Sequence, residues 1–109
     1  MTNITITKSS EDKYIRIECK GHAGFADYGT DIVCAAVSVL IINTINSIEE
    51  FTKDDIEVNQ DEKKGIITLS FKNVPSDEAD LLLRSYELGV KSISQQYGKK
   101  FLNIKFRRE

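Results

Sequence analysis

Five short stretches that alternate apolar and polar residues are interleaved with two longer stretches of helical period, and this order constrains the fold most. Residues 3–8 set Ile4 and Ile6 against Thr5 and Thr7. Residues 14–20 set Ile15, Ile17 and Cys19 against Tyr14, Arg16, Glu18 and Lys20. The polar turn from Ser9 to Lys13 makes the two a hairpin. From about Asp31 to Glu50, Cys34, Val37 with Ser38, Ile41, Ile45 and Ile48 recur at helical spacing, with Thr30 or Asp31 as N-cap. A second hairpin pairs Ile56 and Val58 with Ile67, Leu69 and Phe71 around the turn Asp61 to Gly65. Ser76 caps a second helix whose stripe is Ala79, Leu82 with Leu83, Tyr86, Val90, Ile93 and Tyr97, and Gly98 ends it. Residues 101–106 alternate again as a last strand.

The resulting order, ββαββαβ, buries its apolar faces most simply as an α+β two-layer sandwich: one mixed sheet with both helices on one face. A chain of 109 residues can form one such core and not two, so residues 1–109 are expected to be one domain. Leu81 and Leu88 fall off the stripe of the second helix and are free to cover a neighbouring sheet edge or a second subunit.

A net charge of −2 excludes a broad cationic field for nucleic acid, so no direct nucleic-acid contact is expected. The one basic concentration, Lys99, Lys100, Lys105, Arg107 and Arg108, fits a solvated terminal strand at least as well as a ribosome contact. The N-terminus, MTNITITK, has no signal-peptide core, and the apolar run from Ile32 to Ile42 is too short to cross a bilayer. A cytoplasmic location without membrane contact is therefore expected, with both cysteines as thiols.

Chemistry concentrates in residues 21–38, GHAGFADYGTDIVCAAVS, where glycines at 21, 24 and 29 punctuate an expected loop up to Thr30. The stretch holds the only histidine, His22, at a strand end, and Cys34, expected in the first turn of the following helix. Cysteine chemistry needs the thiolate, a small fraction of an ordinary thiol at neutral pH. Unpaired N–H groups and the dipole at a helix start favour negative charge there. An imidazole that accepts the thiol proton leaves an ion pair and can later return the proton to a leaving amine. Backbone N–H groups at the same helix start are candidate donors to an oxyanion. Asp27 or Asp31 could orient His22, and Ser38, one turn beyond Cys34, points the same way.

Each residue also has a plainer reading. A cysteine on an apolar stripe is commonly a small buried hydrophobe, and a lone histidine at a strand end a boundary residue. Asp31 is better supported as an N-cap than as an orienter, and a cap carboxylate beside Cys34 would oppose the thiolate. The physical reading therefore leaves Cys34 a plausible nucleophile paired with His22, without Asp31 as a third member, beside these plainer readings. Ser38 reads otherwise as a helix serine bonded to its own chain, and Cys19 as core. A metal reading takes Cys19, His22 and Cys34 with Asp27 or Asp31, but lacks the paired ligands that zinc patterns present at both ends.

The segment resembles the bacterial ribosomal-processing cysteine protease family: Gly-His, a loop of about a dozen residues, then Asp-Ile-Val-Cys-Ala and a helical serine. The resemblance implies a cysteine endopeptidase that needs no cofactor or metal. It implies removal of a short N-terminal extension from a large-subunit ribosomal protein, with the cut after aromatic residues. It assigns Cys34 as nucleophile and His22 as base, Gly21 as hinge of the loop over the site, and Asp31 and Ser38 as supporting residues. It also implies a homodimer. Two other readings stand beside it: a non-catalytic ribosome-associated binding module using the basic C-terminal strand, and a thiol-based redox or metal-responsive protein using Cys19 with Cys34.

Overall fold

The computed structural model describes residues 1–21 and 28–109, with side chains in the second span from Ile32 onward. Its elements are β1 (Thr2–Lys8), β2 (Tyr14–Lys20), α1 (Tyr28–Phe51), β3 (Ile56–Asp61), β4 (Ile66–Phe71), α2 (Asp77–Tyr97) and β5 (Leu102–Arg108). The strands form one sheet in the order β3-β4-β2-β1-β5. β5 runs parallel to β1, with Thr2 opposite Leu102, whereas the other pairings are antiparallel, so the sheet is mixed as expected.

One face of this sheet carries the core. Ile4, Ile6, Ile17, Cys19, Leu69 and Leu102 share a buried cluster with Val33, Val37, Ile41, Ile45 and Ile48 of α1 and Leu83, Tyr86 and Val90 of α2. Burying these side chains supplies the main drive to fold, because each removes a large apolar area from water. Both helices thus lie on the same face.

The first hairpin departs from strict alternation. Thr7 pairs with Arg16 but Lys8 pairs with Tyr14, leaving Ile15 as an extra residue in a β-bulge. The bulge reverses the facing of β2 between its two ends. Tyr14, expected on the outer face, is buried, and Ile15, expected inside, is only half-buried. The Tyr14 hydroxyl donates to Glu87 Oε1 of α2 at 2.8 Å, which satisfies the one polar atom that the reversal brings inward.

α2 begins and ends where its sequence places it. Ser76 Oγ accepts from the N–H of Ala79 at 3.1 Å, while Asp54 accepts from both the N–H and the hydroxyl of Ser76. Gly98, at φ 103°, closes the other end by donating its N–H to the carbonyl of Ser94. Leu81 and Leu88 are exposed and cover no sheet edge of this chain.

α1 differs from expectation at both ends of the argument. It starts at Tyr28, so Thr30 and Asp31 lie inside the helix and neither is its N-cap. Residues 28–30, expected in the loop, are helical. The apolar stretch also extends beyond the run from Ile32 to Ile42: Ile32–Phe51 is long and apolar enough, by length and composition, to span a membrane. Within this fold, its Val33, Val37, Ile41, Ile45 and Ile48 stripe is core against the sheet.

Candidate active site

Cys34 stands at the margin of the α1 core stripe. Val33 and Val37 beside it are buried, Cys34 is half-buried, and Ser38, one turn on, is exposed. A cleft of about 260 Å³ opens between this part of α1 and the sheet. Cys34, Val37, Ser38 and Ile41 form its helical wall, and Cys19, Ile66 and Ile67 its sheet wall. Gln60, Asp61 and Glu62 at the end of β3 make a polar rim.

Thr2 and Gly21, from the adjoining ends of β1 and β2, close the cleft beneath Cys34. Thr2 Oγ1 lies 3.1 Å from Cys34 Sγ. The N–H of Gly21 donates to the carbonyl of Gly65 at 3.0 Å, which ties the end of β2 to the turn before β4. A Cβ at Gly21 would stand 3.3 Å from Thr2 Oγ1 and 3.6 Å from Cys34 Sγ. A side chain here would crowd the Thr2 hydroxyl and stand in ordinary contact with the sulfur.

The structure therefore gathers Cys34, Gly21 and Ser38 around one cleft. His22 and Asp27 lie outside the described residues, as does the side chain of Asp31, whose backbone belongs to the first turn of α1. One expected contribution is corrected. Cys34 comes six residues after Tyr28, not in the first turn, so its N–H falls in the internally paired part of the helix. Neither the open N–H groups of a helix start nor the strongest part of its dipole is at the sulfur.

Cys19 shares the cleft wall but has a different environment. Its side chain is buried, and its Sγ lies 3.1 Å from Tyr86 Oη in the core. Burial pushes its thiol up to about 11, partly offset by the hydrogen bond to Tyr86. Such a thiol is a poor nucleophile and a costly metal ligand, since both roles need the thiolate. Among the described residues, no group of three or more His, Cys, Asp or Glu could hold a metal ion.

A half-buried thiol at a cleft wall supplies one part of what a cysteine hydrolase requires, the nucleophile; the other is a base beside it. Residues 1–102 match the family of the cysteine protease Prp. The chain belongs to that family. It is 30% identical over 106 residues to the ribosomal processing cysteine protease Prp of Staphylococcus aureus, covering 96% of this chain and 100% of that one. The crystal structure of an essential ribosomal processing protease Prp from S. aureus with a substrate peptide superposes with a TM-score of 0.92 at 26% identity. That likeness covers 98% of this chain and 100% of the other. A second S. aureus structure, with a covalently linked product peptide, gives a TM-score of 0.87 at 27% identity over the same shares. As a member of the Prp family this protein is a cysteine protease, and the reading as a non-catalytic module is set aside.

Thr2 is the site residue that the sequence reading missed. The alternation over residues 3–8 starts one residue late, because Thr2 continues the inward series Thr2, Ile4, Ile6 of β1. A hydroxyl in an otherwise apolar inward series is the signal that marks it.

Proposed function

We propose that the protein cleaves a short N-terminal extension from a large-subunit ribosomal protein, cutting after aromatic residues, with Cys34 as nucleophile and His22 as general base. His22 takes the thiol proton, and the sulfur attacks the scissile carbonyl carbon. Collapse of the tetrahedral intermediate breaks the C–N bond, and His22 gives the proton to the departing amine. Water then attacks the thioester, giving up a proton to His22, and the carboxylate product leaves as the C–S bond breaks. No metal or cofactor enters either half-reaction.

The observation that carries the reading is Cys34 Sγ at the wall of a cleft lined by Val37, Ile41, Ile66 and Ile67. An aromatic side chain gains most from such a surface, because it buries a large area there. The S. aureus relative that carries a covalently linked product peptide accords with a nucleophile that bonds to its substrate. Asp31, Ser38 and Gly21 act in support, Gly21 by leaving the Thr2 hydroxyl uncrowded beside the sulfur. We further read residues 1–109 as one catalytic unit working in the cytoplasm as a homodimer. The exposed Leu81 and Leu88 on α2 favour the dimer, since a subunit contact would remove them from water.

The test is incubation with a synthetic peptide matching the N-terminus of the host's large-subunit ribosomal protein, read by mass spectrometry. Wild type should cut once, after an aromatic residue, and Cys34→Ala and His22→Ala should leave the peptide intact. An aromatic-containing extended peptide left whole by the wild type would refute the substrate assignment.

A further inference from the structure

We propose that Thr2 is a positioning residue for Cys34, its buried hydroxyl donating to the sulfur and holding it at the cleft wall. The inference rests on the reading of Cys34 as nucleophile and adds a residue to that site. Thr2 is 2% exposed and shares its inward direction with Ile4 and Ile6. A β-branched apolar residue would fill that place, and a hydroxyl there is unfavourable unless it is hydrogen-bonded. Among the described residues, its hydrogen-bond partner is Cys34 Sγ, at 3.1 Å.

The hydroxyl stands on a fixed frame. The N–H of Thr2 donates to the carbonyl of Phe101 at 2.9 Å, and Thr2 pairs with Leu102 in the parallel ladder of β1 and β5. The sulfur belongs to α1, so this contact joins helix to sheet at the reacting atom. Gly21 keeps the contact open, since a Cβ there would press on Thr2 Oγ1 at 3.3 Å.

The chemistry gives the contact a direction. With a thiol, either group can donate. A thiolate can only accept, so the Thr2 hydroxyl must then be the donor. A charged acceptor strengthens the hydrogen bond. The interaction is therefore greatest when the sulfur is a thiolate and weaker in the neutral thioester. It favours both formation of the nucleophile and its departure when water releases the product.

The test compares wild type with Thr2→Val, which keeps the shape and removes the hydroxyl, and Thr2→Ser, which keeps the hydroxyl. Thr2→Ala serves as a second hydroxyl deletion, and thermal unfolding identifies any variant that does not fold. Iodoacetamide alkylation of Cys34, followed by peptide mapping, is measured against pH, together with kcat and KM on the ribosomal-protein peptide. In Thr2→Val, kcat should fall roughly tenfold, as expected for loss of a hydrogen bond to a charged acceptor. Its KM should stay near the wild-type value, and its alkylation profile should move to higher pH. Thr2→Ser should return both readouts toward wild type. Folded Thr2→Val and Thr2→Ala proteins whose alkylation profiles superpose on wild type would overturn the role of Thr2, as would a change confined to KM. Cleavage surviving in Cys34→Ala would instead overturn the nucleophile reading itself, so the two failures are distinct.

Discussion

The two cysteines make the most informative comparison in this molecule. Both line the same cleft, and each sulfur lies 3.1 Å from a hydroxyl oxygen, Thr2 Oγ1 for Cys34 and Tyr86 Oη for Cys19. Their surroundings separate them. Cys19 and Tyr86 are both deep in the core, and desolvation raises both groups above their ordinary values. Cys34 sits at the edge of the core stripe and is only half-buried. A hydrogen-bonded thiol is thus not in itself a reactive one. In the reading proposed above, access and the cost of holding negative charge assign the Cys34 contact to chemistry and the Cys19 contact to packing.

The sharpest way to break this contrast is to delete each sulfur in turn. Cys34→Ala should lower peptide cleavage by about a thousandfold or more, because the covalent route disappears. Cys19→Ala should keep cleavage within about threefold of wild type, since a buried thiol takes no part in the reaction. Comparable losses in both, read by initial rates on the ribosomal-protein peptide, would restore the two-cysteine reading that uses Cys19 with Cys34.

Alkaline pH separates the pair in stability. The Cys19 thiol is raised from 9.0 to about 11 in the folded state, so the unfolded chain loses its proton first as pH rises. Its contribution is intact below about pH 9 and is lost as pH climbs toward 11, to a total of roughly 3 kcal/mol. Tyr86, raised for the same reason, acts in the same direction. Denaturant titrations across this range should show a steeper loss in wild type than in Cys19→Ala.

A smaller effect is expected from Tyr86→Phe, which removes the hydroxyl partner of Cys19 while keeping the ring. It should cost about 1 kcal/mol of stability and leave the pH dependence of Cys34 alkylation unchanged. Smaller still is Gly21→Ala. Its Cβ would lie 3.3 Å from Thr2 Oγ1, so the hydroxyl must give by a few tenths of an ångström. A loss in kcat of about two- to fivefold, with little change in melting temperature, is the expected result. A stability loss without a kinetic effect would place Gly21 with the core rather than with the sulfur.

Much of this architecture is legible in the chain because the signals are local. Period-two and period-3.6 patterns of apolar residues settle the element order, and Ser76 and Gly98 mark the ends of α2 through bonds made within a turn. The motif from Gly21 to Ser38 pointed to Cys34 for a similar reason, since its informative residues are close in sequence. The start of α1 is not legible in the sequence, which offers several polar candidates near it; Thr30 and Asp31 are helical.

What remained hidden is long-range. The bulge at Ile15 depends on how β2 meets β1, and it turns Tyr14 toward Glu87, 73 residues away. Cys19 finds Tyr86 across 67 residues, and Cys34 finds Thr2 across 32. Composition and spacing by themselves determined an α+β sandwich and singled out one thiol. Only the packing of α1 on the sheet decided that this thiol is half-buried beside the Thr2 hydroxyl while the other, on the same cleft, is buried against Tyr86. The physical reason is that burial and hydrogen-bond partners of a side chain are set by elements distant in sequence, which no local pattern encodes.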